Sequence, residues 1–125
     1  NRAAPPLIDH LEFLLGGYLA GDPALGARAR RFLGQAEKFL RAEKVDPCVV
    51  QVAALLLAAL TEKKAHSLDD FPVFRTMLDR VGLASAVAER TCELVRMVQS
   101  GVRDQSPECR ILMELLKSEE GSGPR

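Results

Sequence analysis

The stretch that most restricts what this chain can become runs from Pro47 to Leu60, fourteen residues among which Gln51 is the one polar side chain. Valine, leucine and alanine fall on every side of a 3.6-residue wheel, the pattern of a helix buried nearly all round rather than along one stripe. Asp46 stands where its carboxylate can accept from the free amides of the first turn, and Pro47 takes the helical position that has no N–H bond to lose. Fourteen residues do not cross a bilayer, which takes about 20. The remainder of the chain is expected to wrap this helix.

A chain of 125 residues with 47% hydrophobic content suits one domain with one core of ordinary size. Lysine plus arginine and aspartate plus glutamate both number 17, so the formal net charge is zero and no global field draws the chain to nucleic acid or an anionic membrane. Cys48, Cys92 and Cys109 are odd in number and fall inside helical patterns, as small hydrophobes do in a reducing compartment; free thiols and a cytoplasmic setting are expected. No signal peptide or membrane span is visible. The chain opens at Asn1 without a methionine, as an excised or processed fragment would.

Six helices are predicted, with no strand-like alternation of useful length and no repeat. After a loose lead from Asn1 to Pro6, Leu7, Leu11, Leu14, Leu15, Tyr18 and Leu19 recur at helical spacing, with the stop placed near Gly21 rather than at Gly16-Gly17. A second helix carries Leu25, Ala29, Phe32, Leu33, Ala36, Phe39 and Leu40 inward and ends around Lys44. The buried central helix follows, then a polar, irregular Thr61 to Asp70. Phe71-Pro72 opens a fourth helix, with Asp69 or Asp70 as its cap and Gly82 as its stop. A fifth starts near Ser85, turns Val87, Thr91, Leu94, Val95 and Val98 inward, and ends at Gly101. Ser106-Pro107-Glu108 opens the sixth with a capping hydroxyl, a first-position proline and an acid at the positive end of the dipole; Ile111, Leu112, Leu115 and Leu116 form its apolar face. The expected organisation is a compact all-α bundle over residues 1–118 with a frayed tail over 119–125.

Asp46-Pro47-Cys48-Val49-Val50-Gln51-Val52-Ala53-Ala54-Leu55-Leu56 resembles the lead-in to the His-Asp pair of the HD-domain metal-dependent phosphohydrolases. Arg90-Thr91-Cys92-Glu93-Leu94-Val95-Arg96 is similar to that family's late helix, and Ser106-Pro107-Glu108-Cys109-Arg110-Ile111-Leu112 to the segment before its final metal-binding aspartate. The resemblance covers roughly residues 28–118 and implies an HD-like helical fold. It also implies that four ligand positions are lost: Arg28 stands for the first histidine, Leu57 and Ala58 for the His-Asp pair, and Leu116 for the last aspartate. Glu114, two residues earlier on the same helix, is not a convincing substitute for that aspartate in this register. Leucine and alanine can neither hold a divalent metal nor lower the pKa of its water, and a guanidinium repels a cation. No cofactor is therefore expected.

Other constellations point to little chemistry. His10 beside Asp9, and His66 beside Asp69 and Asp70, lack metal-ligand spacing; Glu108, Glu114, Glu119 and Glu120 read as the wet face of a helix; Ser67, Ser85, Ser100 and Ser106 sit at helix edges; and Gly16-Gly17 follows a helix rather than a strand. Arg28, Arg30, Arg31, Lys38 and Arg41 form the one basic concentration, read as a solvated helix face without the aromatic platform of a single-strand binder.

The leading expectation is a non-catalytic, pseudoenzyme HD-like module that binds a protein partner. The alternative is a metal-independent sensor of a nucleotide or phosphoester gripped by Arg28, with Arg31 and Glu114 as further contacts. A relocated enzyme site around His66, Asp69 and Asp70 is the third reading. In the first of these Leu57 and Leu116 plug the former metal site, Ala58 leaves room for them, and Arg28 keeps its guanidinium at the rim, in water or against Glu114.

Overall fold

In the computed structural model, which describes residues 5–18, 25–42, 44–62, 70–101 and 106–121, the chain is all-helical: α1 (Pro5–Tyr18), α2 (Leu25–Ala42), α3 (Pro47–Glu62), α4 (Asp70–Arg80), α5 (Ser85–Gln99) and α6 (Pro107–Gly121). The central helix is α3. Every side chain from Val52 to Leu60 is buried. Four neighbours achieve this, α2 most extensively and then α5, α6 and α1, while α4 packs against α5 and α1. None of the described helices is long and apolar enough to cross a membrane; at 1.5 Å per residue α3 reaches only about 24 Å against a hydrocarbon thickness of about 30 Å.

The helix ends follow from local chemistry. Asp46 Oδ1 accepts from the Cys48 amide at 3.0 Å and starts α3, and Ser106 Oγ accepts from the Cys109 amide at 3.3 Å to start α6. After α4, Gly82 takes a left-handed φ of 88°. Its amide donates to Asp79 O at 3.1 Å and the Leu83 amide to Leu78 O at 3.1 Å, which satisfies two carbonyls of the last turn. Gly101, at φ 75°, closes α5 in a related way, its amide donating to Val98 O at 3.2 Å. A side chain at either glycine would be strained whatever the space around it.

Some boundaries differ from those read in the sequence. α1 begins at Pro5, inside the expected lead, because first-turn positions have no intrahelical amide bond for proline to forfeit. It is helical to Tyr18, and the expected stop near Gly21 and Leu19 lie outside the described residues. α2 ends at Ala42, two residues before Lys44. α3 continues through Thr61 and Glu62, and α6 through Gly121, so the first part of the expected tail is helical backbone. Asp70 starts α4 as a helical residue. α5, by contrast, starts at Ser85 as expected, after Ala84, which caps it without a side-chain bond.

One apolar core takes in the inner faces of all six helices, from Leu11 and Leu15 through Phe32, Phe74 and Leu94 to Ile111 and Leu115. Just two polar side chains among the described residues are buried with it, Arg28 and Thr91. Thr91 Oγ1 donates to Val87 O one turn back at 2.8 Å, the usual way a helix accommodates a buried hydroxyl. No described buried side-chain nitrogen or oxygen lacks a partner.

Candidate functional site

Arg28, Leu57, Ala58 and Leu116, the four positions that the resemblance assigns to metal ligands, sit on α2, α3 and α6. On α2, Arg28, Ala29, Phe32 and Ala36 share the buried face, whereas Arg30, Arg31, Lys38 and Arg41 are exposed. The basic concentration is thus a solvated helix face, with Arg28 turned the other way. Leu57 and Ala58 are fully buried on α3, and Leu116 is half-buried on α6 against the same core.

Arg28 corrects the expectation of a rim arginine. It is only 4% exposed, and its Nε donates to the Ala58 carbonyl oxygen at 2.7 Å. Glu114, the acid expected beside it, is exposed on α6 and pairs with Lys117 at 3.6 Å. The physical reason lies in the end of α3. Ala58 O is close to the C-terminus of that helix, where the dipole is negative, and α3 carries no basic residue of its own in its last turn. A cation from α2 takes that role. A guanidinium this deep needs acceptors, and a carbonyl with a second lone pair free supplies one without importing a buried carboxylate.

The other sequence candidates do not converge. His10 and Asp9 are exposed on α1; His66 and Asp69 lie outside the described residues, as does the side chain of Asp70. Among the described residues no three His, Cys, Asp or Glu side chains come together as a metal site.

Three concave features lie elsewhere: a cleft of 430 Å³ between α4 and α5, a more apolar groove of 370 Å³ between α1 and α4, and a depression of 310 Å³ where α1, α2 and α3 meet. Arg28, Leu57, Ala58 and Leu116 line none of the three.

The α4–α5 cleft is a feature that sequence reasoning missed. Arg75 ties its walls together: Nε to Asp79 Oδ1 at 3.3 Å, Nη1 to Glu89 Oε1 at 3.4 Å, and Nη2 to Ser85 Oγ at 2.6 Å. The contact with Asp79 foremost, and then that with Glu89, holds the guanidinium further above its ordinary pKa. Across the cleft the Arg96 guanidinium lies over the Phe71 ring, its carbon 5.0 Å from the centroid. Phe71 is fixed edge-to-face on Phe74 at 6.0 Å, and Phe74 on Tyr18 at 5.9 Å. The available sequence clue was antiparallel pairing. With Gly82 in the turn, residues roughly equidistant from it face one another, which brings Arg75 to Glu89 and Phe71 to Arg96.

The three cysteines are free, Cys92 and Cys109 buried and Cys48 half-buried. Burial pushes the Cys48 thiol up, with Asp46 adding to the effect; burial also raises Cys92, against the opposing pull of Arg75 and Arg96. The native state therefore holds these two protons more tightly than the unfolded chain. Their contribution to stability is present below the unfolded value of about 8.5 and is lost as pH rises beyond it. Urea titrations from neutral to alkaline pH should show that decline. Alkylation without reductant should label Cys48 first in the native protein and all three thiols after unfolding; an intrachain bridge would contradict this.

No family model, curated protein or solved structure matches the chain.

Proposed function

We propose that this chain is a non-catalytic, HD-like helical module, a pseudoenzyme whose scaffold serves to bind a protein partner in the cytoplasm. The observation that carries the reading is the closed Arg28–Ala58 contact. At the positions that stand for metal ligands, Leu57 and Ala58 are fully buried and Arg28 is committed to a backbone carbonyl. Hydrolysis of a phosphoester by the family's chemistry needs a hydrated divalent cation at that place, and a sealed apolar core with an embedded guanidinium offers it neither ligands nor room. The phosphate-sensor alternative asks for an accessible Arg28, and at 4% exposure the scaffold itself occupies that side chain. Three free thiols, two of them buried, fit a reducing compartment.

The test is an activity and melting series. Nitrophenyl phosphate and nucleoside mono-, di- and triphosphates should not be turned over with manganese, nickel, cobalt or magnesium. The melting temperature should not move with manganese, because a ligand stabilises only a state that binds it. Metal-dependent turnover that disappears in Arg28 or Glu114 variants would overturn the reading.

A further inference from the structure

We infer that this chain pairs with a second copy of itself across the α1–α4 face, Phe13 of each copy entering the groove between α1 and α4 of the other. Phe13 is 76% exposed, the one large hydrophobic side chain so exposed among the described residues. Leu11 and Leu15, two residues before and after it, are fully buried. Phe13 therefore stands about 200° round the helix from each, on the crest of α1 that faces away from the core. Beside that crest lies the 370 Å³ groove, lined by Leu14 and Tyr18 of α1 and by Val73, Thr76, Met77 and Arg80 of α4. Thr76 Oγ1 already donates to Pro72 O at 3.0 Å, so its hydroxyl asks nothing of an occupant. A bulky side chain on a helix crest and an apolar hollow in the adjoining valley are the two halves of a ridge-into-groove contact.

Symmetry and charge choose the occupant. A two-fold interface is self-complementary, so knob and hole must lie side by side on one surface, as Phe13 and the groove beginning at Leu14 do. When each α1 lies in the other copy's valley, the flank of α1 away from its own α4 turns toward α4 of the second copy. That flank carries Asp9, which lines the depression toward α2 and α3. Arg80, exposed at the groove, has no hydrogen-bond or ion-pair partner among the described residues. The pairing thus brings a carboxylate toward a guanidinium twice. Gly17, one turn beyond Phe13, is exposed with nothing within 4 Å of where a Cβ would stand, so the second helix meets no side chain there. A small apolar ligand would fill the groove and leave Phe13 in water; a second copy covers both. Helices of this length side by side present on the order of 400 Å² per copy, below the ~800 Å² of a standard stable interface, which makes the pair a weak, reversible one. The inference goes beyond the non-catalytic reading and does not depend on it, since Arg28, Leu57, Ala58 and Leu116 do not line the groove.

Sedimentation of the full chain from micromolar to millimolar concentration tests this. The mass should rise from one chain to two and stop there. Phe13→Asp and Thr76→Arg, both at exposed positions, should each weaken self-association on the order of tenfold or more. Matching circular dichroism and melting establish that the fold of each variant is intact. Mixing the two variants should restore pairing: the Thr76→Arg copy still offers Phe13 to an open groove, and at the other contact the new carboxylate meets the new cation. Loss of pairing from a general defect would not be repaired in this way. A chain that stays monomeric, a dimer indifferent to both substitutions, variants that fail to pair on mixing, or growth beyond two copies would each overturn the inference. Failure of the non-catalytic reading shows separately, as metal-dependent turnover.

Discussion

Leu57→Ala is expected to destabilise the protein by about 2 to 5 kcal/mol, the range for truncating a fully buried leucine in a core that relaxes only in part. Leu57 has no exposed surface and lies in the middle of the completely buried run of α3, the helix against which α1, α2, α5 and α6 pack. Removing its three outer carbons forfeits their transfer free energy and leaves a void that neighbours on several helices would all have to move to fill. For a domain whose total stability is of order 5 to 15 kcal/mol, such a loss is a large share. Urea denaturation should show a lower midpoint at an unchanged slope. A Leu57→Ala variant as stable as the parent would mean that the site is open, and a melting temperature that rises with manganese would carry the same meaning.

Arg28→Ala should cost about 2 to 4 kcal/mol, far more than truncating an arginine at the rim. The lost bond to Ala58 O is charge-assisted and buried, the class worth about 1.5 to 3 kcal/mol, and the aliphatic stem contributes packing besides. Arg28→Met separates these contributions, since it keeps most of the stem while removing the charge. It should cost less than Arg28→Ala, because exchanging a buried ion for a hydrophobe of similar length is often close to neutral. Exposed Arg30 and Arg31 on the same helix provide the contrast, with alanine variants of Arg30 within about 0.5 kcal/mol of the parent. An Arg28→Ala change equally small would place the guanidinium in solvent and reopen the phosphate-sensor reading.

Much of the fold was legible because it depends on near neighbours. The period of the apolar residues located six helices; Asp46 and Ser106 marked starts through bonds to amides two and three residues on, and Gly82 and Gly101 marked stops because only glycine takes those backbone angles without strain. The burial of α3 followed from composition alone, since a helix with no polar face has nothing to offer water. Its C-terminal end was less legible, as were the start of α1 and the end of α6, because first and last turns gain or lose little free energy by fraying.

What the tertiary structure decided was the place of each charge. Arg28 belongs to a run of basic residues, and no periodicity distinguishes an arginine that carries its charge into the core from one that extends its stem toward water. The end of α3, thirty residues away in sequence, makes the difference by presenting a carbonyl at the negative end of its dipole. Arg96 is the converse case: its neighbours in sequence mark it as an exposed helix residue, and only the packing of α4 on α5 sets it on the face of Phe71. Helical spacing is local and can be counted along the chain, so the sequence by itself determined the helices and the apolar core. Electrostatic partners are chosen across the bundle by which backbone and side-chain groups the packed helices bring within reach, so the roles of Arg28 and Arg96 belong to the tertiary structure.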